Sequence, residues 1–318
     1  MRKPEVVVGI DVGGTTVKGG IVGVDGSQVV SRSIPSPGEG GPALLDAVRS
    51  LVTDFEADAR DRGLAPIGAG VIVPGIVDEL GGRVLYAANL GWEDLDLAGE
   101  LESSTGLSVT VGHDVRGASL AERRVGGARG LPDFVLVTLG TGISCAITAS
   151  GVTRVGASGA AGEIGHTTVY PGGEPCSCGK HGCLEVYASA GGITRRYRSA
   201  GGEPGADAAV ISRRVRTEEL AARIWGDATA ALALSLATLV LLVDPALVLL
   251  GGGLSRAGET LVAPTLDRLA GELRWRTPPP VRISPLGADA GRIGAAVLAM
   301  DALGRTDLVE RWPADLAL

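Results

Sequence analysis

Cysteine and histidine are scarce in this chain, four and three among 318 residues, and positive charge is in deficit, with 29 Lys and Arg against 36 Asp and Glu for a formal charge of −7. The acidic balance argues against a general affinity for nucleic acid, whose binders are usually basic. It leaves room for an anionic substrate, which needs only a local positive site. A long apolar run is missing too. The longest, Ala228–Val243, holds Thr and Ser and stops at Asp244-Pro245, short of the roughly 20 residues a bilayer span needs. It reads as a buried helix. No export signal is legible, because the apolar run in MRKPEVVVGID is short and Asp11 interrupts it. The chain is therefore expected in the cytoplasm, a reducing compartment in which clustered cysteines favour a metal over disulfides. Both common nucleotide fingerprints are absent as well: there is no Walker loop with Gly-Lys-Ser/Thr and no proper G-x-G-x-x-G unit.

What is present is a 45% apolar fraction and fifty glycines. The first suffices for a substantial core, and the length allows two domains or one large one. The second suggests tight turns and close ligand approaches. Val6–Ile10 reads as a strand, Asp11–Thr16 as a turn, Val17–Val24 as a second strand and Asp25-Gly26 as a hairpin turn. Helical spacing covers Leu44–Arg62, and Ile67–Val73 is a strand ending in Pro74-Gly75. Gly106–Gly112 carries a short strand ahead of His113-Asp114, and Gly117–Arg124 reads as a helix. The opening pattern then returns, since Phe134–Ser144 echoes Val6–Thr16 as an apolar strand running into a Gly/Thr turn, with a second strand at Cys145–Thr148. Two such units imply a duplicated α/β architecture with a cleft between the halves. Further on, Ala221–Val243 reads as a helix, Ala246–Leu250 as a buried strand before Gly251–Leu254, and Gly291–Ala302 as a helix, with one more helix at about 303–318. The clusters Arg195/Arg196/Arg198 and Arg213/Arg214/Arg216 read as solvated helix faces.

Three glycine turns each follow an apolar strand. In the first, Asp11 precedes Gly13, Gly14, Thr15, Thr16 and Lys18; the second is Thr138–Gly142, with Gly140, Thr141 and Gly142; the third is Gly251–Leu254, with Gly252 and Gly253. Glycine lets backbone N–H groups approach phosphate oxygens, and threonine adds donors. A carboxylate beside them suits a hydrated Mg²⁺. One such turn is weak evidence, and three together point to phosphate binding.

The stretch EIGHTTVYPGGEPCSCGKHGCLE, Glu163–Glu185, gathers three of the four cysteines and two of the three histidines between two carboxylates. Cys176, Cys178 and Cys183 supply three thiolates, and one more ligand completes a tetrahedral Zn²⁺ site. His181 and His166 are the candidates; His181 sits inside the cysteine loop with little room to fold back, whereas the gap from His166 to Cys176 lets the chain loop round. Four protein ligands leave no open position, so the zinc is expected to be structural. Cys145, far from the cluster, reads as a small buried apolar residue.

The motifs DVGGTTVKGG, VPGIVD, NLGW, HD at 113–114, LGTGIS, GEIGH, CSCGKHGCLE and DPALVLLGGGLS stand in family order from residue 6 to about residue 300. Together they resemble the ROK family of bacterial sugar kinases and related repressors. The resemblance implies a two-domain α/β fold of the actin/hexokinase/Hsp70 (ribonuclease H-like) type. Its smaller domain is expected at residues 1–112, its larger one with the zinc loop at 113–302, and the last helix packs back on the first domain. It implies ATP-dependent phosphorylation of a sugar's primary hydroxyl, with Asp114 as catalytic base and Asp11 holding Mg²⁺ through water. Phosphates would lie on Gly13–Thr16 and Gly140–Gly142, and adenosine by Gly252, Gly253 and Leu254. The resemblance assigns the metal-ligand role to His166 rather than His181. It places Gly75, Asn89, His113, Asp114, Glu163, His166 and Glu185 at the sugar, with His166 serving both the zinc and the sugar. Homodimers are usual in that family.

One position departs from the pattern. The family usually has Asn before the catalytic Asp, and here it is His113; Gly112 and Arg116 also differ from the usual Glu and Asn. An imidazole cannot donate and accept as an amide does. The substrate is then either glucose with a tolerated exchange, or a glucose relative altered near C3 or C4, such as an amino sugar (kanosamine, for instance) or a cyclitol. A sugar-sensing regulator of the same family carries a helix-turn-helix ahead of the first glycine turn, where this sequence has about ten residues. A polymerising or chaperone-like ATPase does not account for the acids around the cysteine loop.

Overall fold

In the computed structural model, which describes residues 3–313, the chain forms two compact units. Unit 1 runs to Gly130 and adds Val155–Ala160 and the segment from Asp289 onward; unit 2 comprises Leu131–Arg154 and Ala161–Ala288.

Unit 1 opens with β1 (Glu5–Val12), β2 (Thr16–Gly23) and β3 (Gln28–Pro35), which pair antiparallel in a meander. Helix α1 (Gly41–Asp61) leads to β4 (Ala65–Val73). A small antiparallel sheet follows, of β5 (Ile76–Asp78), β6 (Arg83–Ala87) and β7 (Trp92–Leu95). Asp96 then caps α2 (Leu97–Thr105) by accepting the Gly99 N–H at 3.1 Å. Strand β8 (Val109–His113) runs directly into α3 (Asp114–Val125). The five-stranded sheet has the order β3-β2-β1-β4-β8, with β1, β4 and β8 parallel. Parallel strands covered on both faces read as near-continuous apolar runs, which is how VVVGI and GAGVIV stand in the sequence. Leu44, Val48, Leu51 and Phe55 of α1 pack on Val6, Val8 and Ile10 of β1. Fully burying each of these side chains contributes about 1.5–3 kcal/mol. The alternate face of β1 meets α9 (Ala290–Ala302), where a Cβ on Gly9 would strike the Arg292 carbonyl. A short α10 (Thr306–Val309) follows.

Unit 2 repeats the topology. Its strands are β9 (Phe134–Leu139), β10 (Ile143–Ala149), β11 (Val152–Thr153), β12 (Val248–Gly251) and β13 (Val281–Ile283). They lie in the order β11-β10-β9-β12-β13, the first three antiparallel and β9, β12 and β13 parallel. The two five-stranded sheets thus share one strand plan, which is the duplication expected from the repeated strand–turn–strand pattern. The helices are α4 (Leu184–Ala188), α5 (Ala190–Ser199), α6 (Ala208–Arg214), α7 (Glu219–Val243) and α8 (Glu259–Glu272). By length and composition α7 could cross a membrane. It is instead a core helix, with Trp225, Leu232, Leu236 and Val240 buried among the other side chains of unit 2.

The expected boundary after residue 112 falls inside unit 1, at the β8–α3 junction, because α3 packs on α9 where Gly117 and Gly294 let the two backbones meet. Of the helix expected at about 303–318, the structure has α9 ending at Ala302 and α10 at Thr306–Val309; residues 314–318 lie outside the described residues. The β3 strand and the small β5–β7 sheet went unread, their short half-polar sequences lacking a continuous apolar run.

Two members of the arginine clusters are not solvated helix-face residues. The Arg196 side chain is 13% exposed and bridges Glu174 of the cysteine loop to Asp227 of α7, at 2.7 and 2.8 Å. Its guanidinium also lies 4.9 Å from the centre of the Tyr187 ring. Arg214 donates to the Tyr197 hydroxyl at 3.3 Å and pairs with Glu203. These two arginines tie loops to helices, and neither is a freely solvated charge.

Candidate active site

In unit 1 the candidate residues collect at the carboxyl ends of the parallel strands. Asp11 closes β1 and pairs across to Lys18 of β2. The turn between them is closed by the Gly13 N–H donating to the Thr16 carbonyl at 3.0 Å, and Ser36 Oγ donates to the Gly13 carbonyl. Gly14 lies against Asn89, whose Nδ2 would stand 3.5 Å from a Cβ there. The β4–β8 register sets His113 beside Val73, just ahead of Pro74-Gly75. Gly75 has φ 105°, and a side chain there would strike the Tyr86 carbonyl, so the turn requires glycine.

Asp114 begins α3, and its Oδ1 accepts the Val115 N–H at 2.7 Å. Burial first, then the charge of Asp114, push the Asp11 carboxyl up to about 7, with Asp289 adding and Lys18 opposing. Gly291, on the first turn of α9, leaves the space that the Asp11 carboxylate fills. A helix N-terminus favours the charged form of such a group.

His113 is buried, with Nδ1 3.3 Å from Asp114 Oδ1 but without an aligned hydrogen bond. Burial holds its imidazole below the ordinary value, against the pull of Asp114. Glu79 Oε1 accepts both the His113 backbone N–H at 3.1 Å and Arg116 Nε at 2.8 Å. Arg116, itself buried, donates from Nη1 to the Gly159 carbonyl at 3.1 Å. Sequence reasoning missed Glu79, Asp289 and Gly291. They belong to no recognisable motif, and only the packing brings Asp289 and Gly291 to Asp11, and Glu79 to His113 and Arg116.

In unit 2 the second and third glycine turns meet. Gly140 N–H donates to the Gly142 carbonyl at 2.9 Å, and Thr138 Oγ1 donates to the Ser144 carbonyl at 3.3 Å. Gly251 pairs with Thr138, and Gly252, at φ 80°, packs against Leu139 with no room for a Cβ. Thr141, Gly253 and Leu254 line a cavity of about 970 Å³. Glu185, on the first turn of α4, stands at the foot of the second turn: its Oε2 accepts the Ile143 N–H at 3.0 Å and would lie 2.6 Å from a Cβ on Gly142. Glu163 immediately precedes the 3-10 turn Ile164–His166.

His166, Cys176, Cys178 and Cys183 bring one ligand atom each to within 4.8 Å of one another. Cys178 and Cys183 Sγ are 3.7 Å apart, and Cys176 Sγ lies 3.7 Å from His166 Nδ1. Sulfurs about 2.3 Å from a common tetrahedral centre stand at about that separation, so the donor set fits a single soft cation. Burial, followed by the neighbouring thiols of Cys178 and Cys176, pushes the Cys183 thiol up to about 12, so a cation is needed to hold it as a thiolate. The facing atom of His166 is Nδ1, which leaves Nε2 on the other edge of the ring. His181 is exposed and stands apart from the cluster. Cys145 is buried, and burial pushes its thiol up to about 12, as for an inert core residue.

Two duplicated five-stranded sheets with glycine turns at their strand ends define a protein of the actin/hexokinase-like class. The ROK family model matches residues 7–302, and the chain belongs to that family. It is 36% identical to the glucokinase of Halalkalibacterium halodurans, over 92% of this chain and 94% of that one. It is 33% identical to an N-acetylmannosamine kinase of Escherichia fergusonii, over 91% and 97%. Among solved structures, a ROK family glucokinase from Streptomyces griseus in complex with glucose and AMPPNP superposes with TM-score 0.82 at 29% identity, covering 93% of this chain and 99% of that one.

Proposed function

We propose that the protein is an ATP-dependent sugar kinase that phosphorylates the primary hydroxyl of glucose or a close glucose relative. The observation that carries this reading is the placement of Asp11, with its glycine–threonine turn, and Asp114 at the carboxyl ends of β1 and β8, parallel strands of one sheet separated only by β4. Glucokinases at 30–36% identity over nearly the whole chain support it. Asp114 accepts the proton of the attacking hydroxyl, and general-base catalysis of this kind is worth about 10²–10⁴-fold. The backbone N–H groups of Gly13–Thr16 and Gly140–Gly142 hold phosphate oxygens, and Gly252, Gly253 and Leu254 border the adenosine. When bound, Mg²⁺ neutralises charge on the phosphates; Asp11 is the residue that would hold it, through water. Asn89, Glu163, His166 and Glu185 accept from or donate to the sugar hydroxyls. The cysteine cluster with His166 holds a structural zinc that fixes the loop carrying these acids. The protein acts in the cytoplasm as a homodimer.

A second reading, an amino-sugar or cyclitol kinase, is favoured by one observation. The buried imidazole of His113 stands beside Asp114, where its neutral form offers one donor and one acceptor in place of an amide. N-acetylmannosamine kinases at 33% identity agree with it. Coupled measurement of ADP release with a panel of hexoses, amino sugars and cyclitols tests both readings. No stimulation by any member of the panel overturns them together.

A further inference from the structure

The Glu185 carboxylate turns away from the cysteine loop and bonds beside the second glycine turn. Strand β10 begins at Ile143, directly after Gly140–Gly142. Strand β11 covers β10 only at Thr148 and Ala149, so nearer the turn the outer edge of β10 has no strand partner. Backbone N–H groups on such an edge need other acceptors. The Cys145 N–H donates to the Gly162 carbonyl at 2.8 Å, and the Ile143 N–H to Glu185 Oε2 at 3.0 Å.

A Cβ on Gly142 would stand 2.6 Å from Glu185 Oε2, and one on Gly191 would stand 3.0 Å from the Thr141 carbonyl oxygen. The Gly140 carbonyl accepts the Ala190 N–H at 2.9 Å. The segment from Glu185 to Gly191 therefore holds the turn at both ends. It is itself anchored, since Cys183 and Leu184 are fully buried and the Leu184 N–H donates to the Thr167 carbonyl at 2.9 Å. Glu185 Oε1 and the N–H groups of Thr141 and Gly142 make no hydrogen bond among the described residues. The braced turn thus keeps two N–H donors unspent.

We infer that Glu185 is a positioning residue for the phosphoryl donor: Oε2 braces the Gly140–Gly142 turn so that the Thr141 and Gly142 N–H groups stand ready for phosphate oxygens. The inference rests on the sugar-kinase reading above and adds a role to a residue placed there at the sugar alone. Oε1 is left for the sugar, and Oε2 serves the donor. Backbone N–H groups bind an anion well only when held in a fixed, converging arrangement. A turn flanked by two glycines and left unbraced loses that arrangement to backbone freedom. The bracing comes from the acceptor and not from the charge, because a negative charge beside the turn works against an anion there.

The test measures binding of AMPPNP with Mg²⁺ to the full chain by isothermal titration calorimetry. No sugar is present, so the loss of a sugar contact cannot move the result. The wild type is expected to bind. Glu185→Ala is expected to bind about tenfold more weakly, the scale on which a hydrogen bond to a charged group counts. Glu185→Asp keeps the charge but shortens the reach by one methylene, and is expected to weaken binding as alanine does; it also stands in should the alanine variant not fold. Glu185→Gln keeps an oxygen acceptor at the same reach and is expected to bind as the wild type does. A folded alanine or aspartate variant with wild-type affinity overturns the inference and leaves the kinase reading standing. A glutamine variant as weak as alanine also overturns it, because the charge rather than the acceptor would then matter. A wild type that fails to bind the nucleotide removes the kinase reading, and this inference with it.

Discussion

Arg116, on the first turn of α3, donates from Nε to Oε1 of Glu79 at 2.8 Å, and the same oxygen accepts the backbone N–H of His113. The pair therefore fixes the corner from which Asp114 projects. Glu79→Ala leaves a buried guanidinium uncompensated and is expected to cost about 1–3 kcal/mol, discounted for the partial exposure of Glu79. A fall in kcat beyond the loss of folded protein should accompany it. Glu79→Ala combined with Arg116→Met should regain part of the melting temperature, which differential scanning calorimetry would report.

Asp114→Asn should lower kcat by about 10²–10⁴-fold, with a smaller change in the sugar KM. Steady-state kinetics at saturating donor separates the two. Undiminished turnover would remove Asp114 from the role of base.

Asp11 gives a pH signature. Its carboxyl is raised from 3.8 to about 7, so the folded state holds that proton more tightly than the unfolded chain. The stability it contributes is present below 3.8 and is lost as pH rises through about 7. Without Mg²⁺, Asp11→Asn should therefore raise the melting temperature more at pH 8 than at pH 5. Equal gains at the two pH values would contradict the shift.

The cysteine cluster predicts one zinc per chain by elemental analysis of the folded protein. Cys183→Ser should lose that zinc and lower the melting temperature, because a buried ligand is removed from a closed site. Cys145→Ser should keep the metal. A full complement of zinc in Cys183→Ser would exclude this residue as a ligand.

His113→Asn restores the amide that the ROK pattern usually carries. If His113 reads a modified ring, the exchange should move kcat/KM towards glucose by about tenfold or more, the scale on which a matched hydrogen bond discriminates. An unchanged order of preference across the sugar panel would make His113 a neutral exchange.

Much of the fold and of the site was legible in the linear sequence, and for a local reason. A β-branched run ending in Asp11-x-Gly-Gly-Thr-Thr states its own strand and turn, and the repeat at Phe134–Ser144 states the duplication. Cys176-x-Cys178 with Cys183 carries its ligand spacing within a single loop. Groups this close in the chain meet whatever the rest of the molecule does. Packing decided the remainder. Glu79 meets Arg116 across 37 residues, and Asp11 is raised by burial and by a carboxylate a hundred positions away in the chain. The arginine clusters show the same division. Sequence spacing assigned them to helix faces, but the packing of α5, α6 and α7 turned Arg196 into a tether and set Arg195, Arg198 and Arg213 around a cavity. Periodicity encodes which face of a helix a residue occupies; what that face meets depends on desolvation and long-range contacts, which exist only once the chain has folded.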